Sequence, residues 1–361
     1  MEADWRIPNV FPTEHTPIVD HSTTRVEQRP TSGGFPLCCI AMRRNASLID
    51  RCTVAERQRL CIWPRGDAER RMFRRRSDAG ELTRVFGRCF ARSDQWETLD
   101  GVEQYRRIVR SLAVLHPDWI FCDMTAAVMQ NVSDSTRHLD LVHIVTSRER
   151  HVHDYGQMRH HYVADQSYEM ADGVKVTPLE RTVFDCARRL PLPDGLAVLD
   201  AVLRCGLRNK RHLAESFAVM PGWRRDAALR VLRHATGRTE NGGESYALGV
   251  MIDERYMIPL LQEEIVDPYD MSRVYRVDFA WHTPDGRFIV GELDGRVKYR
   301  DASMYRNGSL PDTVIEEKRR EERIRLVVDE LFRFSFGDAL HRDRLLHKMD
   351  KARVPRFDDG D

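Results

Sequence analysis

The sequence predicts a mixed α/β (α+β) chain of several domains, and three observations carry that expectation. Segments with helical apolar spacing alternate with short β-rich runs. The order helix, turn, basic helix and hairpin stands near the N-terminus, and a C-terminal hairpin carries acids where a core would want apolar residues. A length of 361 residues leaves room for two or three domains, and 42% hydrophobic with 31% charged residues is ordinary for a soluble globular protein. The formal net charge of +1 excludes a general polyanion-binding character, so any nucleic-acid surface must come from local segregation of arginine. Eight cysteines without a Cys-x-x-Cys pair argue against a zinc ribbon or a disulfide framework. They read as reduced thiols of a cytoplasmic protein. The apolar run Phe35 to Met42 is far short of a membrane span and lacks the flanks of a signal peptide, so no membrane partner is expected.

Residues 1–45 have no sustained period and include the breaker run Pro30-Thr31-Ser32-Gly33-Gly34, so they read as a disordered tail. Thr53-Val54-Ala55-Glu56 has the form of a capping box and predicts a helix from there towards Trp63, ended by Pro64-Arg65-Gly66. Asp67 can cap a second helix bearing Arg70, Arg71, Arg74, Arg75 and Arg76, and Gly80 stops it. Leu82 to Phe86 and Cys89 to Ala91 then flank a Gly87-Arg88 turn. This is a winged-helix order, predicted over residues 46–99.

The segment 80–91, Gly80-Glu81-Leu82-Thr83-Arg84-Val85-Phe86-Gly87-Arg88-Cys89-Phe90-Ala91, resembles the wing of AbiEi-type antitoxin and transcriptional-regulator domains. The resemblance implies DNA binding through the helix before the wing, with Arg70, Arg71, Arg74 and Arg75 as DNA-contacting residues and a cognate toxin as a possible partner. Read without it, the same arginines make a solvated basic helix. Guanidinium groups suit phosphates and base edges alike.

Residues 100–235 read as a central mixed α/β domain. Gln104 to Leu115 has helical spacing, Trp119 to Cys122 is a short β-rich run, and Leu141 to Val145 is a better strand. Thr177-Pro178-Leu179-Glu180 combines an N-cap hydroxyl, proline at N1 and a carboxylate at N3 before an apolar stripe. A second helix from Asp194 to Gly206 completes a helical hairpin. Through Val176 to Asp185 the region resembles the central domain of actinobacterial AbiEi-like proteins, which implies a scaffold. His151, His153, His160 and His161 lie close in sequence, but their spacing does not fit a structural zinc site, and no acid or thiol completes one. Beside Arg148, Arg150 and Arg159 they read as surface groups of a loop that could meet a phosphate.

After an expected linker, Thr236 to Gly243, Glu244 to Met251 reads as a helix with Glu244 in its first turn, and Ile258 to Val266 as a strand. The acidic hairpin follows. Arg276 to Trp281 and Ile289 to Asp294 are joined through Pro284-Asp285-Gly286, and alternation puts Phe288, Val290, Glu292 and Asp294 on one face. A small register choice brings Asp278 beside Glu292, where like charges are unfavourable unless a cation joins them. A charged helix from about Thr313 to Val328 ends the set. Its Glu316 to Arg323 run reads as a solvated, ion-paired face, with Arg320 or Arg323 able to approach a phosphate.

This order is the core order of the PD-(D/E)XK nucleases, and within a domain predicted over 236–361 the region from Glu244 to about Leu346 resembles their Vsr-like branch through Val277-Asp278-Phe279 and Gly291-Glu292-Leu293-Asp294-Gly295-Arg296-Val297-Lys298-Tyr299. The resemblance implies a restriction-endonuclease-like domain in which Asp278 and Glu292 hold Mg²⁺ (or Mn²⁺), with Glu244 as the supporting helix acid. The metal would lower the pKa of a bound water and stabilise charge on the displaced phosphate. Where the family pattern has a lysine two residues beyond the acid, this chain has Asp294. Lys298 could reach back to activate water or hold the scissile phosphate, or Asp294 could be a further metal ligand. Singly, each acid has a plainer reading: Asp294-Gly295 as a turn, Asp278 paired with Arg276 or Arg296, Glu244 favouring its helix N-terminus. The expected function is that of a DNA-binding protein with a Mg²⁺-dependent endonuclease-like C-terminal domain. The alternative is a non-enzymatic AbiEi-type regulator carrying a degenerate nuclease fold.

Overall fold

The computed structural model describes residues 46–147, 154, 156–294 and 310–357, with the side chains of Ala46 and of 310–314 excepted. The expected tail, His151, His153 and Lys298 lie outside the described residues. The chain forms two compact units, one of residues up to Gln130 with Ser135–Thr177, the other of Asn131–Asp134 with Pro178 onward.

The first unit begins with helices Ala46–Arg57 and Asp67–Asp78, then the antiparallel strands β1 (Leu82–Phe86) and β2 (Cys89–Arg92). Thr53 is not a cap. It lies inside the first helix, which starts earlier because Leu48, Cys52 and Ala55, at i, i+4 and i+7, bury one continuous stripe against Phe73, Leu82 and Phe90. Glu56, the other half of the expected box, instead pairs through both oxygens with Arg92, at 2.7 Å each. Arg59, at φ 56°, ends the helical path well before Trp63. Cys61, Val85, Phe86 and Cys89 face a second core cluster with Tyr105, Ile108 and Val109. Those latter residues come from helix Gly101–Leu115, capped by the Asp100 side chain, which accepts from Glu103 N. Helix Asp123–Met129 and four short strands complete the unit: β3 (Val142–Thr146) parallel to β4 (Met158–Tyr162), and β5 (Glu169–Ala171) antiparallel to β6 (Val174–Val176). Of the expected Trp119–Cys122 strand only Phe121 makes bridges, to Ile144 and Val176.

The second unit opens with the helical hairpin Leu179–Arg189 and Leu192–Arg204, followed by helices Lys210–Val219, Arg225–His234 and Gly242–Asp253. Leu179, Val183, Cys186 and Ala187 are buried, as the stripe requires, although the cap falls on Pro178 rather than Thr177. Thr236–Gly243 is firmly fixed. The buried Asp200 accepts from Thr236 N at 2.7 Å and Gly237 N at 2.8 Å, and Thr239 Oγ1 lies 2.7 Å from Ser245 Oγ. Helix Gly242–Asp253 packs tightly on helix Leu192–Arg204, since a Cβ at Gly249 would overlap the backbone of Pro193.

A four-stranded sheet ordered β10-β9-β8-β7 follows, with β7 (Leu260–Asp267), β8 (Asp270–His282) and β9 (Phe288–Asp294) as an antiparallel meander and β10 (Glu330–Ser335) parallel to β9. Helix Leu310–Arg325 precedes β10, and helices Phe336–Leu340 and Arg342–Lys351 follow it. Phe279, Trp281, Phe332 and Phe334 form an aromatic ladder with neighbouring centroids 5.8–6.4 Å apart. Gly291 lies under that ladder, where a Cβ would come within 2.9 Å of Phe332. Among the described residues no helix is long and apolar enough to cross a membrane.

Candidate functional site

Register carries the acids of the second unit to one place. Phe279 pairs with Gly291, so the next step along the ladder sets Asp278 opposite Glu292, and directly opposed residues share a face. Phe279 and Gly291 lie on the aromatic side, and the Asp278 carboxylate turns to the β9 backbone next to Glu292. Asp278 accepts from Leu293 N at 2.8 Å, and burial with the neighbouring Glu292 charge raises its pKa. On β7, Leu261 pairs with Phe279 and Glu263 with Val277, which puts Gln262 across from Asp278. Gln262 adopts φ 56°, a left-handed conformation costly for a non-glycine residue, and its amide reaches Glu244 at 3.1 Å.

Glu244 is buried in the first turn of helix Gly242–Asp253, where Asn241 caps the helix. Its carboxylate also accepts from Glu240 N at 2.7 Å and Asn241 Nδ2 at 2.5 Å. Burial, and then the Asp278 charge, push its pKa up to about 7. Asp278 thus interacts electrostatically with both Glu244 and Glu292.

Glu292 is held by arginine. Arg320 donates to both of its oxygens, at 2.6 and 3.2 Å, and Arg333 donates at 3.0 Å. Arg333 also pairs with Glu317 and lies 3.6 Å from Asp294, which is exposed at the strand end. The charged helix is therefore more than a solvated face: Arg320 closes over the acid hairpin, and Arg323 stacks on Tyr269 at 4.1 Å. Arg276 pairs with Glu240, not with Asp278.

In the first unit Arg70, Arg71, Arg74 and Arg75 are all exposed on helix Asp67–Asp78, whose Phe73 faces the core, while Arg76 turns inward to pair with Glu81. Burial, and then the nearby Arg74 charge, lower the pKa of Arg84 on β1.

The described residues contain another group of ligands. Asp123, His143 and His161 bring one donor atom each to within 4.8 Å of one another, and this cluster could hold a divalent metal; no trio drawn from Glu244, Asp278, Glu292 and Asp294 closes to that spacing. His160 and His161 lie in strand β4 and not in a loop. The acid that sequence spacing fails to supply is Asp123, some forty residues upstream. His143 was the legible sign, a polar residue inside the apolar run Leu141 to Val145.

No family model matches the chain. Two proteins of Mycobacterium tuberculosis do: uncharacterized protein MT2308 of strain CDC 1551 / Oshkosh and uncharacterized protein Rv2248 of strain ATCC 25618 / H37Rv. Each is 32% identical over 215 residues, covering 56% of this chain and 76% of the relative. The chain belongs to the family of these mycobacterial proteins.

Proposed function

We propose that the chain is a DNA-acting protein of the cytoplasm whose second unit carries a Mg²⁺-dependent endonuclease site of the PD-(D/E)XK type, with a winged-helix DNA-binding segment at residues 46–99. One observation carries the reading: Asp278 and Glu292 flank the Phe279–Gly291 pair that ends the β8–β9 register, and the Asp278 charge interacts with both Glu292 and Glu244. Paired carboxylates of this kind lower their repulsion by sharing a hard cation, and Mg²⁺ accepts one or two protein carboxylates plus waters and phosphate oxygens. The cation would supply Lewis-acid stabilisation of the phosphate and an ionised water. Arg320 would exchange its hold on Glu292 for the scissile phosphate as metal enters. The exposed Arg70, Arg71, Arg74 and Arg75 would hold the duplex by its backbone.

Supercoiled plasmid incubated with the purified chain and Mg²⁺ or Mn²⁺ tests this. Nicking or linearisation is expected, falling by about 100-fold or more in Asp278→Asn, the scale of losing a metal ligand at such a centre. Equal cleavage by wild type and variant removes Asp278 from the mechanism.

A second reading has its own observation. The guanidinium groups of Arg320 and Arg333 already neutralise Glu292, and a family-pattern lysine is replaced by Asp294. A fold so arranged suits a non-enzymatic AbiEi-type regulator, with a cognate toxin as its partner. DNA binding without cleavage under any divalent ion selects it.

A further inference from the structure

We propose that Asp123, His143 and His161 form a mononuclear binding site for a divalent transition metal of the zinc type, independent of the acid hairpin and of its function. His143 Nδ1 and His161 Nε2 face each other at 2.8 Å, with the rings nearly parallel, 15° between planes. A contact of this length is made either by the N–H of one ring donating to the bare nitrogen of the other, or, once that proton is displaced, by a metal ion held between two bare nitrogens. A tetrahedral zinc with Zn–N of 2.0–2.1 Å separates its nitrogens by about 3.3 Å, so the pair must open by only about half an ångström.

The scaffold fixes the donors in advance. His143 N donates to Thr125 Oγ1 at 2.8 Å and its carbonyl accepts from Cys122 N at 3.0 Å, so both flanks of this residue are tied to the segment that carries Asp123. Tyr105 Oη lies 2.5 Å from the same Thr125 hydroxyl and donates to Leu141 O at 2.8 Å. On the parallel strands His143 pairs with Arg159, two residues from His161, which puts both histidines on one face. Asp123 is buried and adopts φ 52°, a strained conformation for a non-glycine residue at the start of its helix. Nitrogen donors select zinc-type ions over Mg²⁺, which takes oxygen ligands. Two histidines and one carboxylate leave the fourth position to water.

The test uses the full chain with Asp278→Asn and Glu292→Gln, so that the acid hairpin is disabled. After chelator treatment it is titrated with Co²⁺, and visible absorption is followed. One equivalent of Co²⁺ giving a d–d band that Zn²⁺ displaces is expected, with affinity lower by about 100-fold or more in His143→Ala and in His161→Gln, given that even outer-shell changes cost 10–100-fold. Zn²⁺ should also raise the melting temperature of the parent, but not of Asp123→Asn, which retains the side chain's shape. Absence of a band in the parent overturns the site, as does an unchanged band in folded His161→Gln.

Discussion

Glu244 shows how one residue's surroundings set its chemistry. Its pKa of about 7 lies above its ordinary 4.5. The sign follows: below pH 4.5 both folded and unfolded chains hold the proton, whereas between pH 4.5 and 7 only the folded chain does. Stability therefore falls as pH rises through that window, by about 3 kcal/mol at most. Urea melts at pH 5 and pH 8 should show this loss in wild type and a flatter dependence in Glu244→Gln; equal slopes would mean that Glu244 is ionised throughout. Metal affinity at the acid pair should move the opposite way, since a protonated Glu244 cannot help hold a cation. Asp278 and Glu292 were legible in the sequence because strand alternation needs only a register to bring them together. Asp123 was not, because its approach to His143 depends on the bridges Phe121 makes to Ile144 and Val176, a pairing no local period encodes.

Elements are legible more securely in their type than in their ends. The β8–β9 hairpin and the helix after Pro178 form where periodicity puts them, and the Gly242–Asp253 helix forms over the expected Glu244–Met251 segment although it is buried all round. The Thr53 box does not form because burying Leu48 and Cys52 outweighs a cap contributing about 1 kcal/mol. Helices Lys210–Val219 and Arg225–His234 go beyond what the sequence reading predicts. Close packing gives a test at this scale. Gly249→Ala would press a methyl into Pro193 and force two helices apart, costing about 1–3 kcal/mol as overpacking does. Chemical denaturation should show a lower midpoint. An unchanged midpoint would mean that the Leu192–Arg204 helix moves aside freely.

At the scale of the whole molecule, a net charge of +1 means that any affinity for DNA must come from distribution. Replacing Arg70, Arg71, Arg74 and Arg75 together with glutamine is expected to weaken duplex binding about equally for all sequences. It should also reduce the slope of log K against log salt by up to about 4, near 0.9 for each phosphate that is no longer neutralised. A slope that stays the same places the duplex elsewhere. The helical hairpin, grouped by sequence with residues 100–235, packs instead in the unit that holds the acid hairpin. The composition of Thr236–Gly243 conceals this, because its glycines and threonines look like slack chain although Asp200 anchors them. A protease should accordingly pass that segment over, despite its Gly-rich appearance. A fragment begun there would strip helix Gly242–Asp253 of the surface it packs on, leaving sticky apolar side chains that precipitate, whereas one begun at Pro178 would carry its own shelter with it.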